Sequence, residues 1–398
     1  MRSELCGFHS TPNFLIVNNI VLLEINHKVI SRVLRVRASS YRYRVVSSAL
    51  AVSLFAIPGS VATRVPIEDA MAPSGRLITS AAIVCNPSTH KIYAVNEGVG
   101  SVTVINAATG ARHIVEVGRE PIAIALNRAT NRIYVANDGS ASVSMIDGAS
   151  DTVIATIATS RLPYALAVDE TTNKVYVTHT YAGVVTAIDG ATNSAQELKV
   201  GDADGIVTDG GAHTVFLMTY EDPSIRIVDP ATGAVTRVAV GPHLWGMVFD
   251  EPTSTLFLAH TSAGEVVALD EKSHAVSTIP VGKIPCAVAI NAVTRRLYAV
   301  NYGDETLSVI DLQTRKVIAL VPVGKHPQGI AVDSAANRIY VANVHGDSVT
   351  VIDGEKNTVL GARSAGKNPY AVTVDEASGR AYAANYSAPW VTPVSDGR

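Results

Sequence analysis

The chain has 398 residues, of which 47% are hydrophobic, 17% charged and 6% aromatic, with 29 Gly, 18 Pro and a formal net charge of −3. This composition excludes a disordered chain and argues against a coiled coil or long solvated helices. Three Cys are too few for a disulfide-framed scaffold, and the net charge gives no general pull toward nucleic acid.

The charge is unevenly spread. Residues 1–62 carry seven Lys/Arg and two acids, and the remainder holds 25 basic and 33 acidic residues, a net of −8. Arg37, Arg42 and Arg44 precede an apolar run, Val45 to Val61, whose core is ALAVSLFAI. Pro58 and Gly59 break any helix, and Ser60-Val61-Ala62 supplies small residues before a cleavage point. This is the layout of a secretory signal peptide, cleaved after Ala62. The apolar stretch is short for a membrane span, which needs ~20 apolar residues; an uncleaved anchor is the alternative. Residues 1–36 are long for a leader and show no clear pattern, so a start near Val33 or Val36 is an alternative to Met1. The expected organisation is a leader over 1–62, a segment over 63–79, and one domain over 80–398.

That domain is a single repeat. Tyr93, Tyr134, Tyr176, Phe216, Phe257, Tyr298, Tyr340 and Tyr382 recur every 40 to 42 residues. Each lies in a short β-type run such as KIYAVN or RIYVAN, followed by a second run such as VTVIN or VSMID, a third ending in Gly, and a fourth such as PIAIALN. Four short strands per ~41 residues match a propeller blade. The fold class is therefore all-β: an eight-bladed propeller of four-stranded antiparallel blades, with seven blades as the alternative. We label the strands a to d outward from the axis. Small residues alternate with large ones in strand a (Gly329 and Ala331 against Ile330 and Val332), which suits crowding at the centre. The strand-b aromatic is an inter-blade core residue. Asn86, Asn127, Asp169, Asp209, Asp250, Asn291, Asp333 and Asp375 close strand a, where Asx side chains bond nearby backbone amides. The last blade lacks strand d, and a segment around Arg76 to Thr79 is expected to supply it and close the ring.

The runs Tyr134-Val135-Ala136-Asn137, Tyr176-Val177-Thr178-His179 and Tyr340-Val341-Ala342-Asn343, with the stretches from Val281-Gly282 to Pro285 and Val323-Gly324 to Pro327, resemble the YVTN-type β-propeller repeat. The resemblance covers about residues 80–394. It implies an extracytoplasmic protein of the kind that includes surface-layer and YncE-like propellers, with remoter likeness to lactonase propellers and to the haem d1 domain of nitrite reductases. It implies no single activity, so function must come from the site.

Standard catalytic motifs are missing. Gly361 to Lys367 reads as a phosphate loop, but Asn368 replaces the Ser/Thr and no helix is expected to follow. Cys85 and Cys286 fall in strand a of blades one and six, too far apart for a disulfide, and Cys6 leaves with the leader.

The b–c and d–a loops share the top face of a propeller. Six of the 12 Tyr beyond residue 62 lie there, outside the repeat core: Tyr164, Tyr181, Tyr220, Tyr302, Tyr370 and Tyr386. Trp245, Trp390, His243, His326 and His345 join them. Rings with a polar handle suit a ligand face, and loops on a rigid scaffold carry function. Three residues after each strand-b aromatic the repeat has Asn, expected to bond the b–c loop backbone. His179 and His260 replace it in blades three and five. With Glu221, Asp222 or Glu265 they could ligate a divalent metal, although a structural donor role explains them more simply. Lys283, Lys325 and Lys367 occupy consecutive d–a loops, where solvated loop charge is the simplest account.

Two function classes follow. One is an extracytoplasmic binding or scaffold propeller, periplasmic or secreted, holding a glycan, peptide, small molecule or protein on its top face, with no cofactor and no nucleic acid. The other is a metal-assisted lactonase or lyase using His179, His260, His345 and nearby acids. A haem-linked oxidoreductase with His243 or His326 as axial ligand is a weaker third, since no C-x-x-C-H attachment site is present.

Overall fold

The computed structural model describes residues 14–17, 20–23, 82–387 and 389–394. The chain divides into two units. In the first, Phe14–Val17 and Ile20–Leu23 pair antiparallel, with Phe14 opposite Leu23. These apolar runs fall in the stretch where the sequence showed no pattern. The expected leader, its cleavage point and the closing strand at Arg76 to Thr79 otherwise lie outside the described residues.

The second unit is the propeller. Seven four-stranded antiparallel sheets and one three-stranded sheet follow one another in chain order. Blade one runs from strand a at Ile83–Asn86 to strand d at Arg112–Glu116, and blade eight consists of Pro369–Asp375, Arg380–Asn385 and Val391–Pro393. No α-helix occurs among the described residues, and none there is long and apolar enough to cross a membrane. The eight-blade count is the one expected from the period.

The blade aromatics form the core as the repeat requires. Tyr93, Tyr134, Tyr176, Phe216, Phe257, Tyr298, Tyr340 and Tyr382 are all at most 4% exposed, each contributing roughly 1.5–3 kcal/mol by burial. They pack between sheets. The cluster built on blade one includes Tyr382, Ala384 and Val391 of blade eight, so the ring is closed. Polar contacts add to that seam: Arg380 donates to the carbonyls of Ala107 and Ala108, and Asp375 Oδ1 accepts from His90 Nδ1 at 3.0 Å.

The Asx residues that close strand a do more than cap turns. They accept nearby amides as expected, for example Ser88 N–H on Asn86 Oδ1 at 3.1 Å. Most also reach the next blade. Asn86 donates to Asn131 at 2.7 Å, Asn127 to Asn173 at 2.8 Å and Asn291 to Asn337 at 3.0 Å. At three of the five Asp positions the partner is a nitrogen-bearing side chain: His213 for Asp169, Arg295 for Asp250, His90 for Asp375. All six partners hold a positive φ of 50–59°, a conformation that costs a non-glycine residue energy and that Asn tolerates best. The underside of the ring is thus a chain of inter-blade bonds, and His90 and His213 belong to it.

Candidate functional site

The top end of strand a is irregular in a repeated way. Its register slips at the second residue in blades two, three, five, six, seven and eight, for example between Pro327 and Gly329 and between Pro369 and Ala371. A bulge re-aims the side chain of the extra residue. Those residues are Ile122, Tyr164, Trp245, Cys286, Gln328 and Tyr370, at the mouth of the central channel. Gly329 lets blade eight close in: a Cβ there would stand 2.5 Å from the carbonyl oxygen of Tyr370.

A second ring comes from the first residue of each b–c loop: Glu97, Asp138, Thr180, Tyr220, Thr261, Tyr302, Val344 and Tyr386. The two rings meet. Tyr386 stacks on Tyr370 with centroids 4.2 Å apart, and its hydroxyl donates to Gln328 Oε1 at 3.3 Å. Burial pushes both phenols above their ordinary range. The Glu97 carboxylate adds to this at each, and the Tyr370, Tyr164 and Tyr302 phenols add to it at Tyr386. Tyr370 and Tyr386 therefore stay protonated, and the Tyr386 hydroxyl acts as a hydrogen-bond donor. Tyr164, Gln328, Tyr370, Tyr386 and Glu97 are each partly reached by solvent.

Other expected ligand-facing rings are sealed. Trp245 is 2% exposed, Tyr302 1% and Tyr220 8%. Tyr220 meets Trp245 edge-on at 6.2 Å and His243 at 5.1 Å, and Tyr302 stacks on His326 at 4.6 Å. Neighbouring loops cover these rings, so they wall the mouth instead of offering open faces. Burial also raises the Asp204 carboxyl, which accepts the Tyr220 N–H at 2.9 Å and fixes that loop. Tyr181 stands apart, 74% exposed at its loop tip. Trp390 lies against Gly98 of blade one. His345 is exposed, with its Nδ1 2.5 Å from His326 Nδ1.

The repeat Asn bonds strand c more than the loop backbone. Asn137 donates to Ser142 and Ser144, Asn301 to Thr306 and Ser308, and Asn343 to Ser348 and Thr350. Its partners are hydroxyls because strand c opens with Ser or Thr on the facing side. The Asn also explains the repeat glycine: a Cβ at Gly324 would stand 2.6 Å from the Asn343 amide. His179 and His260 do the same work. His179 Nε2 meets Thr186 Oγ1 at 2.8 Å while Nδ1 meets the Arg161 carbonyl at 3.1 Å, and His260 Nδ1 meets Glu265 at 3.1 Å. Burial lowers the His179 imidazole below its ordinary value. Asp222 is taken by Ser224 and Arg237, and Glu221 lies 3.7 Å from His243. The set His179, His260, Glu221, Asp222 and Glu265 is thus distributed over separate contacts, and among the described residues no three His, Cys, Asp or Glu side chains form a metal-ligand group. Lys283 and Lys367 pair with Asp304 and Asp347 of adjacent loops.

Sequence reasoning missed Arg226. In blade four Thr219 replaces the Asn, and Arg226 fills the gap from strand c, 2% exposed, donating to the carbonyls of Val200 and Asp202 and to Thr219 Oγ1. The signal was available: an Arg at a position where six of the other seven blades carry Ser or Thr.

No family model matches the chain, and no curated protein matches it. Solved structures share the fold. Dihydro-heme d1 dehydrogenase NirN, solved in complex with DHE, aligns with a TM-score of 0.64 at 15% identity, over 81% of this chain and 77% of that one. Hydrazine synthase of Kuenenia stuttgartiensis aligns with a TM-score of 0.54 at 18% identity, over 86% and 99%. At these identities the likeness is one of fold.

Proposed function

We propose that this is an exported binding propeller that holds a flat small molecule across the mouth of its central channel. The observation that supports it best is the stacked pair Tyr370 and Tyr386 with its bond to Gln328, partly open to solvent beside Glu97, with Tyr164 at the equivalent bulge of blade three. Ring faces give such a ligand contact area at low entropic cost. Protonated phenols and the Gln328 amide give directional donors, and Glu97 adds an acceptor. The repeat motifs and the expected leader support placing it outside the cytoplasm, as in YVTN-type propellers.

A haem-type ligand is the second reading. It draws on the likeness to NirN, whose structure holds DHE, and on the imidazoles of His243 and His326 at the rim. Haemin, a flat aromatic dye and a β-linked glucan titrated against the protein, with Tyr386→Phe and Tyr370→Ala beside it, separate these readings. Saturable quenching of Trp fluorescence by the dye, weakened in both variants, supports the flat-ligand reading. A haemin absorption band that shifts on binding and is lost in His326→Ala supports the second. Binding of none of the three probes, or binding indifferent to Tyr370 and Tyr386, refutes the proposed site.

A further inference from the structure

His326 and His345 occupy two positions that touch in other blades. The residue before the strand-a proline in the d–a loop lies against the second residue of the b–c loop. Elsewhere that second residue is often Gly, covered by its partner: a Cβ at Gly139 would stand 2.9 Å from Glu120, and one at Gly303 3.0 Å from Ile284. A main-chain bond sets the spacing, from Val344 N–H to the His326 carbonyl at 3.1 Å and from Tyr302 N–H to the Ile284 carbonyl at 3.0 Å. The seam therefore folds with Gly opposite a carboxylate or an aliphatic chain. In blade seven alone, both positions are imidazoles.

Their geometry is that of paired donors. The two Nδ1 atoms face each other at 2.5 Å, and the rings meet edge to face with centroids 4.6 Å apart. The buried Tyr302 ring stacks on His326 at an interplanar angle of 15° and fixes its plane. His345 is exposed to solvent. We propose that His326 and His345 form a two-imidazole chelate for a borderline divalent ion of the Cu²⁺, Ni²⁺ or Zn²⁺ type at the rim of the channel mouth. Metal–nitrogen bonds of about 2.0–2.1 Å place two adjacent donors roughly 3 Å apart, so a small rotation of His345 opens the pair to the ion. Imidazole selects these ions over Ca²⁺ and Mg²⁺. Asp347 is held by Lys367 and the Asn368 N–H, so it does not supply a third ligand. The ion keeps its remaining positions for water or for a donor atom of a molecule at the mouth. This inference does not depend on the flat-ligand reading.

The full chain is titrated with Cu²⁺, Ni²⁺ and Zn²⁺ by calorimetry, and the Cu²⁺ form is examined by electron paramagnetic resonance. The test variants use residues the repeat already accepts: His345→Gly, as at Gly139 and Gly303, and His326→Asn, as at Asn368. His274→Ala, exposed on the underside, is the control. One equivalent should bind, with nitrogen hyperfine structure from two imidazoles, and each test variant should weaken it about tenfold or more, the scale on which even outer partners of a metal site act. Affinity unchanged in both test variants, or an equal loss in His274→Ala, overturns the proposal. Absence of any saturable site in the wild-type chain does so as well.

Discussion

Replacing Arg295 by Ala is the sharpest test of the underside ring. Arg295 Nη1 and Nη2 donate to the two oxygens of Asp250, each at 2.6 Å, and Thr253 Oγ1 donates at 2.5 Å. The Asp250 side chain is 2% exposed and that of Arg295 34%. Burial alone would raise the Asp250 carboxyl. The bonds from Arg295 and Thr253, with the Arg295 charge, outweigh it and hold the carboxyl below its ordinary value. Removing one partner of a fully buried pair costs about 3–5 kcal/mol, and exposed pairs contribute about 0–1. With one partner a third exposed and Thr253 still bound, the loss should be about 2–3 kcal/mol. At roughly 2–4 °C per kcal/mol for a large domain, the melting temperature should fall by about 4–12 °C. The sign with pH is fixed. A depressed carboxyl contributes stability above its unfolded pKa of about 3.9, and that stability is lost as pH falls through the folded value. The gap between wild type and variant, measured by urea unfolding, should stay level from about pH 5 to 8 and narrow below about pH 4. The repeat also contains the cure: Asp250→Asn with Arg295→Asn recreates the amide pair that joins Asn291 to Asn337, and should recover most of the loss. A cost under about 0.5 kcal/mol, the level of an ordinary surface change, would refute the reasoning, and so would a gap that ignores acid or a double variant no better than Arg295→Ala.

His179→Asn restores the repeat default opposite Thr186 and should fall within about 1 kcal/mol of wild type. His179→Ala leaves Thr186 and the Arg161 carbonyl without their bonds and should cost about 1–3 kcal/mol; equal losses in urea unfolding would contradict the structural role. Burial pushes the Cys286 thiol up to about 12, and burial with the Asp375 carboxylate does the same for Cys85. Peptide mapping after iodoacetamide at pH 8 should find both unlabelled in the folded protein and labelled in urea, because the thiolate is the reacting form. Labelling of either at the rate of a free thiol in the folded state would refute this.

The fold was legible because a propeller writes its core at a fixed interval. Tyr93 through Tyr382 announced eight blades, and each lies where the period put it. The inter-blade bonds were not legible one at a time. Asn131, Asn173, Arg295, His90 and His213 carry no local motif that singles them out. Their shared column, four residues past each Asx, distinguishes them, and the pairing of Asn with Asn, and of three of the Asp with His or Arg, shows once the blades are aligned on it. The top-face rings were expected as open ligand faces. Their burial was not foreseen, since whether Tyr302 or Trp245 is open depends on loops contributed by adjacent blades. His326 covers the first and Tyr220 the second, and local sequence does not carry that geometry.

The two faces of the ring therefore use the same residue types to different ends. On the underside a left-handed backbone position holds Asn, His or Arg in six of the eight blades, and there it is bonded by the preceding blade's Asx. A carboxylate facing Asn in the wrong blade, or an amide facing Arg, would leave a buried group poorly matched, at about 1–3 kcal/mol each. The column thus favours each blade's proper neighbour, and it ends at His90 and Asp375, where the first and last blades meet. On the top face the equivalent left-handed position, at Glu120, Leu162, His243, Ile284, His326 and Asn368, carries no such constant partner. Its main-chain carbonyl is the recurring bond across the seam, as at His326 and Ile284. The side chains there are released from closing the ring, which is why the variation that can serve a ligand gathers on that face.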